Sequence, residues 1–372
     1  MKNSRLILLF STLFIVSSLL SACAGGAGVA TSWPGLTVDP SQKVAYLADA
    51  QYVYAVDLTT GAEKWRFPTK GDPKVTYYAP PSLTSDGQLI AGDYNKVLHS
   101  LDPLTGVETA GKQWPFTQGT DRYIGSSLVT DQTIYAPNEN NYLYALDHSG
   151  NLLWPFETQA ALWAPPVTDG KYLYLAAMDH NVYKLEAASG KQVWSSEDVG
   201  GAMVGTPALS SDGVLYVGTF NSELVALNSQ NGKVLWKAPA AGWVWASPLL
   251  LGDTLYFGDL NGTMHALGLD GKVKWSVQPD SATSHRAIVD KALVVNDTLY
   301  FSSETGTLFA LDITNGNTRW SKPIGGKLYT GPAAAKDLIL VAPMGLSTDK
   351  GNTLLVALDS SGNQKWTFVP AK

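Results

Sequence analysis

The phrase LVALNSQNGKVLWKAP, residues 224–239, returns with variation eight times along the chain. Each copy closes on a tryptophan: Trp65, Trp114, Trp154, Trp194, Trp236, Trp275, Trp320 and Trp366. The intervals are 49, 40, 40, 42, 39, 45 and 46 residues, and self-similarity at such a period marks a repeat architecture. Each copy has the same internal order. A Pro-containing lead-in, such as WASPLLL or VGTPALS, passes an Asp/Gly turn into an apolar strand such as TLYFGDL or VLYVGTF. A short polar hairpin, a second apolar strand, a tight turn and the tryptophan strand follow. Runs of four to seven residues rich in Val, Leu, Tyr and Phe, broken by Gly, Asn and Asp, are strands and hairpins. No sustained helical period appears after the first 22 residues. Four short strands per copy predict an all-β chain, an eight-bladed β-propeller over residues 33–372.

The turn before each tryptophan has its own chemistry. Asp57 and Gly61, Asp147 and Gly150, Asp312 and Gly316, and Asp359 and Gly362 bracket it. A carboxylate there accepts backbone amides, and glycine supplies positive φ without steric cost. Tryptophan follows the glycine by four residues in seven copies; in the second, Gly106 to Trp114 is eight, which predicts a bulged loop. A ring repeated at one place in every blade is expected between blades, buried and donating its N–H. All eight are therefore assigned to structural docking.

The N-terminus carries a different signal. MKNSRLILLFSTLFIVSSLLSAC holds Lys2 and Arg5, a mostly apolar run from Leu6 to Leu20, then small residues. This has the form of a secretory signal over residues 1–22. Cys23 is the only cysteine, so no intramolecular disulfide can form. Leu20-Ser21-Ala22-Cys23 resembles the lipobox of bacterial lipoproteins, which implies lipidation of Cys23 and a membrane anchor. Residues 23–32, rich in Gly and Ala, are expected to be a flexible tether. The net charge of −6 argues against binding a phosphate backbone, so nucleic acid is not an expected partner.

The repeated pattern ALDxxTGxxxW resembles the quinoprotein (PQQ-like) propeller family with its tryptophan-docking motif. Together with the lipobox, the chain is most similar to BamB-type lipoproteins of the outer-membrane β-barrel assembly machinery, which are non-enzymatic scaffolds. The resemblance implies other cell-envelope proteins as partners. It also implies an extracytoplasmic location: the outer membrane, facing the periplasm, in a Gram-negative host, or otherwise the outer face of the cytoplasmic membrane. Family enzymes are dehydrogenases that hold PQQ over Ca²⁺, many with a disulfide of adjacent cysteines, which this chain cannot make. No cofactor, metal site or catalytic residue is therefore expected. A small-ligand or carbohydrate-binding module is the alternative, and a PQQ-dependent dehydrogenase a more distant one.

Five histidines remain: His99, His148, His180, His265 and His285. His99 and His265 align with Tyr54, Tyr144, Tyr183 and Phe309, so they are expected to replace a packing aromatic. The variable residues at the lead-ins are more informative. Just before the small residue stand Tyr78, Ile124, Trp163, Val204, Trp245, Arg286 and Tyr329, and one position earlier Tyr77, Tyr123, Leu162, Met203, Val244, His285 and Leu328. Inner propeller strands begin beside the central channel. The expected binding set at the channel mouth is accordingly Tyr78, Tyr123, Trp163, Trp245, His285, Arg286 and Tyr329, with Ile124, Leu162 and Val204 assigned to the core.

Overall fold

The structure, a computed structural model, describes residues 33–371 except 110, 112, 282, 283, 285 and 350. The leader, Cys23, the tether and His285 lie outside the described residues. From Trp33 onward the chain forms one compact unit in which all regular structure is β-strand. It is the expected eight-bladed propeller. Seven blades are four-stranded antiparallel sheets, six of them built from consecutive strands, as in blade 1 (Gly35–Val38, Val44–Asp49, Tyr52–Asp57, Glu63–Phe67). Blades 3 to 8 occupy residues 128–157, 167–195, 208–239, 249–277, 293–323 and 333–368.

Blade 2 departs from the rule. Its sheet has three strands, Ser82–Leu83, Leu89–Gly92 and Leu98–Leu101. Two isolated bridges, Leu98 with Phe116 and Leu101 with Glu108, stand where the outer strand would be. The four extra residues between Gly106 and Trp114 break that strand's register with its neighbour. Blade 8 adds a two-stranded hairpin, Ser347–Thr348 with Gly351–Asn352, between its second and third strands.

Eight separate hydrophobic clusters hold the ring, one at each contact between neighbouring blades. The two middle strands of a blade feed the clusters on both sides. They are therefore almost continuously apolar and buried, as in Val214–Thr219 and Glu223–Asn228. The outer strands are solvated, and their tryptophans point inward.

Each of those tryptophans lies over the turn glycine of the next blade. A Cβ placed on Gly61, Gly106, Gly150, Gly190, Gly232, Gly271, Gly316 or Gly362 would strike, in turn, Trp366, Trp65, Trp114, Trp154, Trp194, Trp236, Trp275 or Trp320 within 3.2 Å. Seven of the eight indoles also donate Nε1–H to a carbonyl of that turn at 3.0–3.2 Å, as Trp65 does to Pro103 and Trp275 to Ile313. Trp154 is the exception. Its Nε1 has no acceptor among the described residues, while the Ala187 carbonyl beside it accepts the Tyr135 hydroxyl. Burial is uneven: Trp65, Trp114, Trp154 and Trp275 are buried, whereas Trp194, Trp236, Trp320 and Trp366 are only half-buried.

The turn carboxylates cap backbone amides as their position suggested. Asp57 accepts Thr59 and Thr60, and Asp359 accepts Ser361 and Asn363. Hydrogen bonds from Thr314 and Arg319 hold the Asp312 carboxyl down at about 2.

The ring closes without strand exchange. Trp366 of blade 8 donates to the Leu58 carbonyl of blade 1 at 3.2 Å, and one cluster joins Leu36 and Leu47 to Leu340 and Leu355. The Thr330 hydroxyl donates to the Pro34 carbonyl, and the Lys336 amide donates to the Gln42 side chain at 2.6 Å.

Candidate functional site

Side chains alternate along an extended strand, and that parity sorts the lead-in residues into two rings. Tyr77, Tyr123, Leu162, Met203, Val244 and Leu328 are all fully buried in the clusters between blades. Tyr78, Ile124, Trp163, Val204, Trp245 and Tyr329 alternate with them on the channel side, so that Ile124, expected in the core, is half-buried in this second ring, while Val204 is buried as expected. Tyr123, expected at the mouth, is 1% exposed and packs its Cβ against Gly92, so it belongs to the core.

Blade 7 is out of step with the others. Its Leu293 pairs with Tyr300 as Leu249 pairs with Tyr256 in blade 6, yet the lead-in before it is three residues longer than the alignment assumed. Ile288 fills the buried slot: it meets Gly258 as Val244 meets Gly218. Val289 takes the channel-facing register. Arg286 instead lies over Gly262, and its Nε donates to the Asn261 carbonyl at 2.7 Å.

Pairing supplies the missing eighth member. Thr37 of blade 1 pairs with Tyr46 as Ser82 pairs with Ile90, so Trp33 is the counterpart of Tyr78. The phrase WPGLTV carries the same signal as WASPLLL, without the small residue directly after the aromatic. Trp33 contacts Trp245 of blade 6, centroids 5.6 Å apart and nearly edge-on, and Tyr329 of blade 8 at 5.4 Å. Trp245 in turn meets Trp163 of blade 4 at 5.8 Å. Rings from blades 1, 4, 6 and 8 thus meet across the axis.

Further groups surround this cluster. Phe220, from the hairpin of blade 5, touches Trp245 and stacks on Trp243 at 5.0 Å, and Trp243 remains 41% exposed. On the far side Tyr78 stacks on Tyr94 at 4.1 Å, with the Arg122 guanidinium over Tyr94 and paired with Glu139. Beside Tyr329, Lys327 bonds Tyr329 and Glu304, which holds its ammonium above the usual lysine range.

Buried polar groups at the hairpin roots set these positions. Asp259 is fully buried and accepts five donors: the amides of Ala241, Gly242, Asn261 and Thr263, and His265 Nε2. Burial disfavours its charge, but His265 and the amides outweigh that and lower its pKa. The carboxylate therefore fixes the lead-in that carries Trp243 and Trp245. Asp179 serves blade 4 in the same way, accepting Gln159 N and the Tyr183 hydroxyl.

His265 does fill an aromatic slot, stacked on Phe257 as Phe309 is on Phe301, but it also bonds Asp259 and Ser276. His99 packs against Phe67 and Tyr77 and bonds Asp93 and Glu108. Burial opposes its charge, yet these carboxylates raise its pKa. His148 pairs with Asp86, and His180 lies near Asp198.

Indole rings meet one another at the mouth, and among the described residues no three His, Cys, Asp or Glu side chains converge as metal ligands.

Exposed apolar residues also stand on the outer strands. A depression of about 450 Å³ lies among Asp39, Tyr46, Leu83, Thr84, Leu104 and Val129 of blades 1 to 3. At the residue preceding the docking tryptophan, blades 3, 4 and 5 carry Leu153, Val193 and Leu235, 46–51% exposed. Blades 1, 6, 7 and 8 have Lys64, Lys274, Arg319 and Lys365 at that position. Comparing the copies one residue before each tryptophan reveals this arc.

Similarity to known proteins follows the same repeat. The family model described as outer membrane protein assembly factor BamB matches residues 49–210, 200–327 and 280–372. The BamB of Moranella endobia (strain PCIT) is 25% identical over 235 residues, covering 59% of this chain and 57% of that relative. The alignment thus spans little more than half of the relative's length. A tetrathionate hydrolase of Acidithiobacillus ferrooxidans is 32% identical over 114 residues, 30% of this chain and 22% of its own length. The crystal structure of BamB from Moraxella catarrhalis superposes with a TM-score of 0.66 at 15% identity, over 83% of this chain and 91% of that one, a likeness of fold. With its tryptophan repeats matched across all eight blades, the chain belongs to the family of the outer membrane protein assembly factor BamB.

Proposed function

We propose that this propeller is a lipid-anchored, non-enzymatic scaffold of the cell envelope that holds a partner chain at its channel mouth during outer-membrane protein assembly. One observation carries the reading: Trp243 stands 41% exposed on the mouth, stacked on Phe220 and backed by the Trp245–Trp33 cluster. Tryptophan, tyrosine and arginine dominate binding hot spots, because a rigid ring buries much area at little entropic cost. Family membership supports an assembly partner over a sugar.

A photo-crosslinking residue at position 243, introduced in living cells, should form adducts with an envelope protein. Adducts absent there yet abundant at position 235, on the outer strand of blade 5, would refute this placement. Trp243→Ala should weaken partner binding at least about tenfold while leaving the melting temperature nearly unchanged, since surface substitutions usually alter stability by only about 0.5 kcal/mol.

Anchoring rests on Cys23 after Leu20-Ser21-Ala22. Fatty-acid labelling of Cys23→Ala should give no incorporation. Label at the wild-type level in that variant would remove the anchor from the proposal.

A further inference from the structure

We infer that His99 is a proton-operated latch. As an imidazolium it ties the broken outer strand of blade 2 to the hairpin root behind the channel mouth, and it releases that strand when it loses its proton. The latch is independent of the scaffold reading, since it concerns how one blade is held and not what the mouth binds.

The placement of the ring carries the inference. His99 Nδ1 lies 2.6 Å from a carboxylate oxygen of Glu108, and Nε2 lies 3.3 Å from one of Asp93. An ionised carboxylate only accepts hydrogen bonds, and a neutral imidazole donates from one nitrogen alone. Both contacts are therefore satisfied together only when the ring carries two N–H groups and a positive charge. The matching slot of blade 6 supplies the contrast. His265 also faces an aspartate, Asp259, but its second nitrogen meets the Ser276 hydroxyl at 2.9 Å. A hydroxyl gives or takes a hydrogen bond as required. Of these two histidines, only His99 stands between two anions.

The aromatic groups packed on His99 carry no charge. Phe67, from the outer strand of blade 1, lies at 5.2 Å, and Tyr77, from the lead-in of blade 2, at 5.8 Å. Burial, with Asp93 and Glu108 nearby, holds the Tyr77 hydroxyl above the usual tyrosine range, so it stays neutral. Asp93 and Glu108 are the charges that govern the ring.

The two carboxylates are held unequally, and that decides which one moves. Asp93 is 2% exposed and accepts the Val97 amide at 2.8 Å. Its carbonyl accepts the Tyr123 amide, and the next residue, Tyr94, stacks on Tyr78 at the mouth. The Glu108 side chain is 33% exposed. Its segment meets the blade through the isolated bridge of Leu101 with Glu108 and through the Thr109 amide, which donates to the Ser100 carbonyl at 2.7 Å. In the seven other blades a paired strand occupies this place. A neutral ring turns a lone pair toward one carboxylate, and Glu108 is the one with room to leave.

Against burial, which disfavours its charge, Asp93 and Glu108 raise the pKa of His99. The tie is therefore complete below about pH 6.5, the value of an unperturbed histidine, and is lost as pH rises through the higher value of the folded protein.

The test uses the full chain. Long-range proton–nitrogen NMR spectra of the histidine rings give the His99 pKa and show which nitrogens carry protons. Its signals are assigned by their loss in His99→Phe, the residue that blade 7 places in this slot as Phe309. The pKa should lie above about 6.5, with both nitrogens protonated well below it. Glu108→Gln should lower the proton affinity of His99 at least about tenfold, because it removes an adjacent opposite charge. Hydrogen exchange at the Thr109 amide reads the latch itself. Corrected for intrinsic exchange, its protection should fall at least about tenfold as pH passes the His99 pKa, and it should not change with pH in Glu108→Gln. That variant alters a partly exposed side chain and supplies both comparisons should His99→Phe fold poorly. A His99 pKa at or below about 6.5, or Thr109 protection that follows pH identically in wild type and Glu108→Gln, overturns the inference.

Discussion

Trp275→Ala is expected to lower the unfolding free energy by about 3–5 kcal/mol, the range for truncating a large buried ring. The indole is only 9% exposed, packs beside Tyr256 and lies over Gly316, and its Nε1 bonds the Ile313 carbonyl at 3.1 Å. Removing it opens a void between two sheets whose ladders keep them from collapsing inward, and it leaves that carbonyl with only the long Tyr256 hydroxyl contact at 3.5 Å. Trp236→Ala should cost less, because that ring is half-buried. Guanidinium unfolding of both variants checks the order. A Trp275→Ala midpoint near wild type would mean that the docking rings do not hold the blades together.

Asp259→Ala should be comparably damaging, by about 3–5 kcal/mol, since each buried donor it orphans costs about 1–3 kcal/mol. Four amides and the His265 ring lose their acceptor at once, in a site with no access to water. Asp259→Asn keeps one acceptor oxygen and should fall between the two. Unfolding curves measure the loss, and near-ultraviolet circular dichroism should show altered packing of Trp243 and Trp245. If Asp259→Ala stays within about 1 kcal/mol of wild type, the carboxylate does not fix that lead-in, because orphaned buried donors cost about 1–3 kcal/mol each.

The spacing of the tryptophans was enough to read the propeller, because one supersecondary unit repeated eight times leaves few other ways to bury its faces. The site was harder to read. Which of two adjacent residues faces the axis depends on strand parity, and a slip of one sends every side chain to the other face. That is why Tyr123 seemed to belong at the mouth, and why the longer lead-in of blade 7 promoted His285 and Arg286 over Ile288 and Val289. Trp33 escaped notice because its copy of the phrase is atypical, ending in Pro-Gly where the others have a small residue first. Asp259 was beyond reach from spacing alone. Its donors come from residues 241 to 265, and only the folded hairpin brings them to one carboxylate. The exposed Leu153, Val193 and Leu235, by contrast, stood in plain view one residue before their tryptophans.

The channel-facing ring also has a geometric consequence. Eight blades of one design, closed by the same docking contact at every seam, approach an eightfold rotor, and a rotor of identical blades would accept a partner equally well in eight orientations. Specificity is a difference between competing arrangements. Around this axis the ring runs Trp33, Tyr78, Ile124, Trp163, Val204, Trp245, Val289 and Tyr329. Large rings and aliphatic residues alternate irregularly, so no rotation by one blade superposes the pattern on itself. On the proposed reading the mouth would work as a keyed socket: the repeated blades supply rigidity, and their unequal first residues would fix the angle at which a partner sits.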